Sequence, residues 1–174
     1  MKFEKTKIKN LYIIETEPRS DDRGCFARIF CQNELATLNI AYKIAQINQS
    51  LTKQKGTIRG MHFQRAPRME DKIVQCLQGA IFDVAIDLRE NSPTYRQWVG
   101  VELTAENNKL FLIPKGFAHG FQTLTDYSRI QYFVSEYYSP ENESGVRWDD
   151  PLINIKWPIE NSILSKKDQS WPLL

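Results

Sequence analysis

The chain has 174 residues, 41% hydrophobic and 25% charged, with a net charge of +2 at neutral pH. That length suits one domain with a real core, and a near-balanced charge without a long basic run excludes partners that bind through electrostatics, such as nucleic acid or a membrane surface. No apolar stretch reaches the roughly 18 residues that cross a bilayer, and the charged start MKFEKTKIKNLYIIETEP lacks the apolar centre of a signal peptide, so a cytoplasmic location is expected.

Most apolar runs are short, rich in Ile, Val, Phe and Tyr, and separated by turn residues, which is the pattern of strands. In chain order the strands are expected at 11–17 (LYIIETE), 25–31 (CFARIFC), 42–50 (YKIAQINQS), 56–64 (GTIRGMHFQ), 72–79 (KIVQCLQG) and 80–89 (AIFDVAIDLR). Further strands follow at 97–104 (QWVGVELT), 109–114 (KLFLIP), 118–125 (AHGFQTLT) and 128–138 (SRIQYFVSEYY). One short helix is expected at 32–39 (QNELATLN), and the stretch from Ser144 onward reads as irregular coil wrapped around the strands. No repeat, low-complexity tract or linker divides the chain, so residues 1–174 read as a single domain.

Ten or so short strands with tight turns predict an antiparallel sandwich or barrel, which closes on itself and leaves few edges. In AIFDVAIDL, Ala80, Phe82, Val84, Ile86 and Leu88 share one face, and Ile81, Asp83, Ala85 and Asp87 the other. Arg59 and His62, three apart, point to opposite faces of a plain strand. Gly60 lies between them, and a glycine in a strand often marks a bulge that re-aims the next side chains. A bulge there brings Arg59 and His62 into one cavity.

Cys25, Cys31 and Cys76 are odd in number and lack metal-like spacing, so they read as reduced thiols; Cys25 beside Arg23 is a weak candidate for reactivity. The barrel pattern with PKGFAHGF (114–121) resembles the cupin jelly roll, many of whose members bind a metal through three histidines and a glutamate. This chain has two histidines, His62 and His119, and no His-x-His, so neither a metal nor another cofactor is expected.

Acid–base chemistry fits the remaining residues. His62 is a natural general base, because an imidazole with an ordinary pKa of about 6.5 titrates near working pH. Such a base has a carboxylate behind it, and Asp168 and Asp83 are the candidates. Lys72 opens a strand and can stabilise an oxyanion. Tyr132 shares its face with Ile130 and Val134, which turns its ring inward, where it can donate a proton.

Over nearly the whole chain these residues resemble the dTDP-4-dehydrorhamnose 3,5-epimerase family of metal-free cupins. The matching pieces are DDRGCF (21–26), QINQS (46–50), GTIRGMHFQ (56–64), the long block 71–107, IPKGFAHGFQTL (113–124), the block 137–158 and ILSKKD (163–168). The resemblance implies a cupin-type antiparallel jelly-roll barrel with short peripheral helices. It also implies a substrate that is a nucleotide-diphosphate 4-keto-6-deoxy sugar, epimerised at C3 and C5. By position, His62 falls on the catalytic base, Asp168 on its carboxylate, Tyr132 on the acid of the opposite face and Lys72 on the lysine near the keto oxygen. Arg23, Arg59 and His119 fall on residues that hold the diphosphate and sugar. Gln46 and Asn48 form a polar pair, Glu143 and Lys167 are further contacts, and Tyr138 stacks on the base. Family members are usually homodimers whose N-terminal segment crosses to the partner, bringing Arg23 and Phe26 to its site. One departure stands out: Arg28 occupies the place of a glutamate associated with thymidine binding. A guanidinium only donates hydrogen bonds, which suits a base presenting acceptors, so CDP- or GDP-linked substrates are alternatives; separately, because some family relatives epimerise only C3, a 3-epimerase is another. A non-catalytic sugar-nucleotide-binding cupin is the alternative of another class.

Overall fold

The computed structural model describes all 174 residues. Thirteen strands are formed: β1 (Lys2–Lys5), β2 (Tyr12–Glu15), β3 (Arg19–Asp21), β4 (Gly24–Phe26), β5 (Gln46–Thr52), β6 (Ile58–Gln64), β7 (Lys72–Gln78), β8 (Ala80–Asp87), β9 (Trp98–Thr104), β10 (Lys109–Ile113), β11 (Phe117–Thr123), β12 (Ser128–Val134) and β13 (Glu143–Gly145). Two short helices, α1 (Gln32–Ala36) and α2 (Lys166–Gln169), and one 3-10 turn lie at the periphery. A six-stranded sheet in the order β1-β2-β10-β7-β12-β5 faces a five-stranded sheet in the order β13-β6-β11-β8-β9, and β3 pairs only with β4 in a separate hairpin. Every ladder is antiparallel, as the turn-rich sequence predicts. The architecture is a cupin jelly roll.

Why both sheets are so apolar follows from where their two faces go. On β10, Phe111 and Ile113 point between the sheets with Val74, Cys76, Ile81, Ala85 and Phe117. Leu110 and Leu112, on the other face, pack under α1 and the following loop with Leu35, Tyr42, Ile73 and Phe133. A strand covered on both faces reads as a continuous apolar run, which is what KLFLI is. The same holds for β8: Ile81 and Ala85 enter the central core, while Val84 and Ile86 are covered by Val146, Ile153 and Ile155 of the C-terminal segment. A polar cleft opens between the sheets, lined by side chains of β5, β6, β7, β11 and β12.

Three strand expectations need correction, the first being the strand expected at 128–138, which ends at Val134. The strand expected at 25–31 is confined to β4, because Ile29 and Phe30 leave the hairpin to pack on the outer core; the Phe30 ring meets Tyr42 at 5.8 Å and Phe133 at 6.3 Å. The strand expected from Tyr42 begins only at Gln46, because Tyr42 is fully buried and donates its hydroxyl hydrogen to the Phe133 carbonyl at 2.6 Å. The C-terminal stretch is mostly coil but contributes β13, which pairs with β6, and α2. The cysteines are free, with Cys25 exposed and Cys76 buried.

Candidate active site

The cleft has two lobes of about 350 and 400 Å³. His62, Lys72 and Tyr132 line both. They come from different sheets, His62 from β6 on one side and Lys72 on β7 with Tyr132 on β12 from the other.

The local backbone of β6 explains the placement of His62. On β11, His119 pairs with His62 and Phe121 with Arg59, so three steps on β6 oppose two on β11. The extra residue is the bulge expected at Gly60. Gly60 has φ of +139°, and a Cβ there would stand 2.5 Å from the Gly120 Cα, so the two strands touch backbone to backbone. Arg59, His62 and His119 consequently line one lobe together.

His62 Nε2 lies 2.6 Å from Asp168 Oδ1. Asp168 reaches this position through the C-terminal segment. Thr57 and Ile163 bridge at the start of β6, with the Ile58 amide donating to the Ile163 carbonyl at 2.8 Å. Ser165 then caps α2 by accepting from the Asp168 amide at 3.0 Å. Burial works against the charged form of Asp168, but the His62 hydrogen bond and charge, with bonds from Ser165 and the Gly60 amide, outweigh it and hold the carboxyl below its usual range. An ionised Asp168 accepts from His62 Nε2–H, which leaves Nδ1 as the basic atom.

Asp83, the other candidate partner, serves a different histidine. It is fully buried and lies 2.6 Å from His119 Nε2, so His119 too is oriented by a carboxylate. On the facing sheet, Lys72 Nζ lies 3.1 Å from Glu70 Oε1, with both side chains largely buried. Burial and the negative charge of Glu70 push the Tyr132 phenol above its ordinary value, and Arg59 opposes them. Arg59 itself donates from Nε to Thr52 Oγ1 at 3.0 Å.

The second lobe holds Gln46, Asn48, Tyr138 and Glu143. Gln46 Oε1 accepts from the Tyr138 amide at 2.7 Å. Tyr138 donates its hydroxyl hydrogen to Glu143 at 2.9 Å, and Lys167 Nζ donates to the other Glu143 oxygen at 2.6 Å. Burial opposes ionisation of Glu143, and these two donors more than offset it, lowering its pKa.

Arg23, Phe26 and Arg28 are not in this cleft. Arg23 is exposed on the β3–β4 hairpin and paired with Asp21. Phe26 and Arg28 line a separate cavity of about 320 Å³ with Met1, Glu17 and Arg19. The Arg28 guanidinium donates to Glu34 at 2.9 Å, and the terminal amine of Met1 donates to the second oxygen of Glu34 at 2.7 Å. Sequence reading missed Glu70 and Gln64, which line the cleft beside Lys72 and His62. Their only signal is alternation with Lys72 and His62 along one strand direction. No three His, Cys, Asp or Glu side chains converge as metal ligands would.

A two-sheet jelly roll with a polar cleft between the sheets and a histidine backed by a carboxylate places the chain among the cupin enzymes. The family model described as dTDP-4-dehydrorhamnose 3,5-epimerase matches residues 5–174. A dTDP-4-dehydrorhamnose 3,5-epimerase of Methanothermobacter thermautotrophicus is 43% identical over 98% of this chain and 92% of its own length. Among solved structures, the dTDP-4-dehydrorhamnose 3,5-epimerase of Bacillus anthracis, with TDP and pyrophosphate bound, superposes with a TM-score of 0.96 at 44% identity, covering 99% of both chains. The Legionella pneumophila enzyme, in complex with dTDP-4-keto-L-rhamnose, gives 0.93 at 41% identity, covering 99% of this chain and 92% of that one. The chain belongs to the dTDP-4-dehydrorhamnose 3,5-epimerase family and is an isomerase.

Proposed function

We propose that this protein inverts C3 and C5 of a dTDP-linked 4-keto-6-deoxyhexose, converting dTDP-4-dehydro-6-deoxyglucose to dTDP-4-dehydrorhamnose. The observation that carries the reading is the sharing of one cleft by His62, from one sheet, and Tyr132 and Lys72, from the other.

Both hydrogens flank the C4 ketone. His62 Nδ1 takes the proton from C3; the C–H electron pair becomes the C3–C4 double bond, and the carbonyl pair moves to O4. Lys72 stabilises that oxyanion by charge and hydrogen bonding. Tyr132 delivers its phenolic proton to C3 from the opposite face while the O4 pair re-forms the carbonyl. His62 then loses its proton to water and Tyr132 regains one, which resets the pair for C5. Each proton transfer by a positioned group is worth roughly 10²–10⁴ in rate. Arg59 and His119 bind the diphosphate and sugar, and Gln46, Asn48, Glu143, Lys167 and Tyr138 form the nucleotide end of the cleft.

The active unit is a homodimer in which the hairpin β3–β4 reaches the partner's cleft. Its pairing with neither large sheet supports this, as do the exposure of Arg23 and of Phe26 at 69%. Arg28 is committed to Glu34 and Glu17 keeps a carboxylate in that cavity, so the glutamate-to-arginine change is compatible with thymine.

The test is proton exchange. Incubation of dTDP-4-dehydro-6-deoxyglucose with the protein in D₂O, followed by NMR, is expected to place deuterium at C3 and C5 with inversion at both. Exchange at one centre makes it a monoepimerase, and binding without exchange makes it a sugar-nucleotide carrier.

A further inference from the structure

We infer that Glu70 is a positioning residue of this reaction, holding Lys72 Nζ where the enolate oxygen forms and setting a negative charge beside the proton-donating Tyr132. The inference rests on the epimerase reading.

Glu70 stands just before β7, two residues from Lys72, and its side chain is 12% exposed, as is that of Lys72. Oε1 lies 3.1 Å from Lys72 Nζ. The other oxygen, Oε2, lies 3.4 Å from Gln64 Nε2. Gln64 is itself fixed: its Nε2 also donates to the Arg68 carbonyl at 2.9 Å and the Tyr137 carbonyl at 3.2 Å, and its Oε1 accepts from the Ser139 amide at 2.6 Å. With both Nε2 hydrogens directed to those carbonyls, Gln64 faces one side of the carboxylate as a fixed, positively polarised neighbour, and a flexible four-carbon stem meets the other. Ordering a lysine costs rotamer entropy; a buried, anchored carboxylate selects one position for the amine before substrate arrives, so that less reorganisation remains when charge develops on O4.

The charge of Glu70 points the same way. A cleft that takes a nucleotide diphosphate gains affinity from cations and loses it from an anion on its wall. A carboxylate paired with Lys72, away from the nucleotide end that holds Glu143, serves the reaction rather than affinity. Several charged or titratable groups share the cleft with Tyr132: Glu70 and Lys72 at the start of β7, Arg59 and His62 on β6, His119 on β11, Glu143 on β13 and Asp168 on α2. Burial first, then Glu70, disfavour the phenolate, and Arg59 favours it. The proton therefore stays on Tyr132 until the enolate carbon takes it.

The experiment compares wild type, Glu70→Gln and Glu70→Asp, with dTDP binding by calorimetry to establish an intact cleft. Wild-type exchange at C3 and C5 is measured first; its absence removes the epimerase reading itself. Given wild-type turnover, Glu70→Gln is expected to lower kcat roughly 10- to 100-fold, to leave KM and dTDP affinity within about a factor of three, and to move the alkaline limb of the pH–rate profile to lower pH. Glu70→Asp is expected to recover part of kcat and the wild-type limb. A Glu70→Gln enzyme with unchanged kcat and limb, or one whose loss lies in KM alone, overturns the inference. Should Glu70→Gln fail to fold, the same readings on Glu70→Asp decide: a lowered kcat at unchanged KM supports it, and wild-type kcat overturns it.

Discussion

His62 and Tyr132 stand on different sheets of the jelly roll yet line both lobes of the same cleft. In the proposed mechanism these two walls supply a base and an acid, the arrangement that inverts a carbon rather than merely exchanging its proton. Their single substitutions therefore separate two events. His62→Asn should abolish both deuterium uptake at C3 and net epimerisation. Tyr132→Phe should cut inversion by roughly 10²–10⁴ while His62 still removes the C3 proton and returns deuterium to the same face. NMR of the sugar in D₂O reads both quantities in one sample.

In the proposed mechanism Asp168 acts only through His62. Replacing it with Asn presents an amide where an acceptor is needed, so the imidazole loses its orienting partner and its preferred tautomer. Asp168→Asn should lower kcat roughly 10²-fold or more, with dTDP affinity unchanged by calorimetry. Because the Asp168 carboxyl is held below its usual range, the bond to His62 persists as pH falls through the ordinary carboxylate range.

The proposed hairpin exchange makes a quantitative prediction. In a homodimer whose clefts each combine His62 of one subunit with Arg23 of its neighbour, Arg23→Ala and His62→Asn are each inactive alone. After random subunit mixing, half the dimers are mixed and each of these has one intact cleft. Activity should return to about a quarter of wild type. No recovery after verified subunit exchange would place Arg23 outside the neighbour's cleft.

The bulge on β6 is held by a contact that tolerates no side chain. Gly60→Ala would set a Cβ 2.5 Å from the Gly120 Cα at a φ of +139°. The expected cost is roughly 1–3 kcal/mol, read from denaturant unfolding. The fall in kcat should exceed what the folded fraction explains, because His62 is re-aimed.

Acid stability carries a separate signature at Asp87. This carboxyl is completely buried; burial opposes its charge, but Arg89, Ser92, Thr94 and the Arg89 amide outweigh it and hold the pKa at about 2, against an ordinary 3.8. A depressed carboxylate stabilises the fold above the unfolded value and loses that contribution as pH falls through the folded one. About 2 kcal/mol should thus vanish between about pH 4 and pH 2. Urea midpoints across that window should fall for wild type and flatten by that amount in Asp87→Asn.

The parts of this molecule legible in the sequence are those governed by local pattern. Strict alternation located β8 and both its faces, and a glycine inside an apolar strand located the β6 bulge. What failed was decided at a distance. Ile29 and Phe30 look like strand residues, yet their best burial is against Tyr42 and Phe133. Lys2–Lys5 lies outside every expected strand, but pairs with β2 because an edge strand needs one partner and little burial. The choice between Asp83 and Asp168 behind His62 could not be made from spacing, since it depends on the Ile163 segment bridging next to β6. The Ser165-x-x-Asp168 cap was the one local sign of α2.

Because β3–β4 is bonded to neither large sheet, changes in it break no ladder of the walls that carry His62, Lys72 and Tyr132. Substitutions in it change what the hairpin touches while leaving those walls in place. A scaffold divided in this way lets a lineage diversify its carrier preferences by drift in a few surface positions rather than by rebuilding a reaction centre.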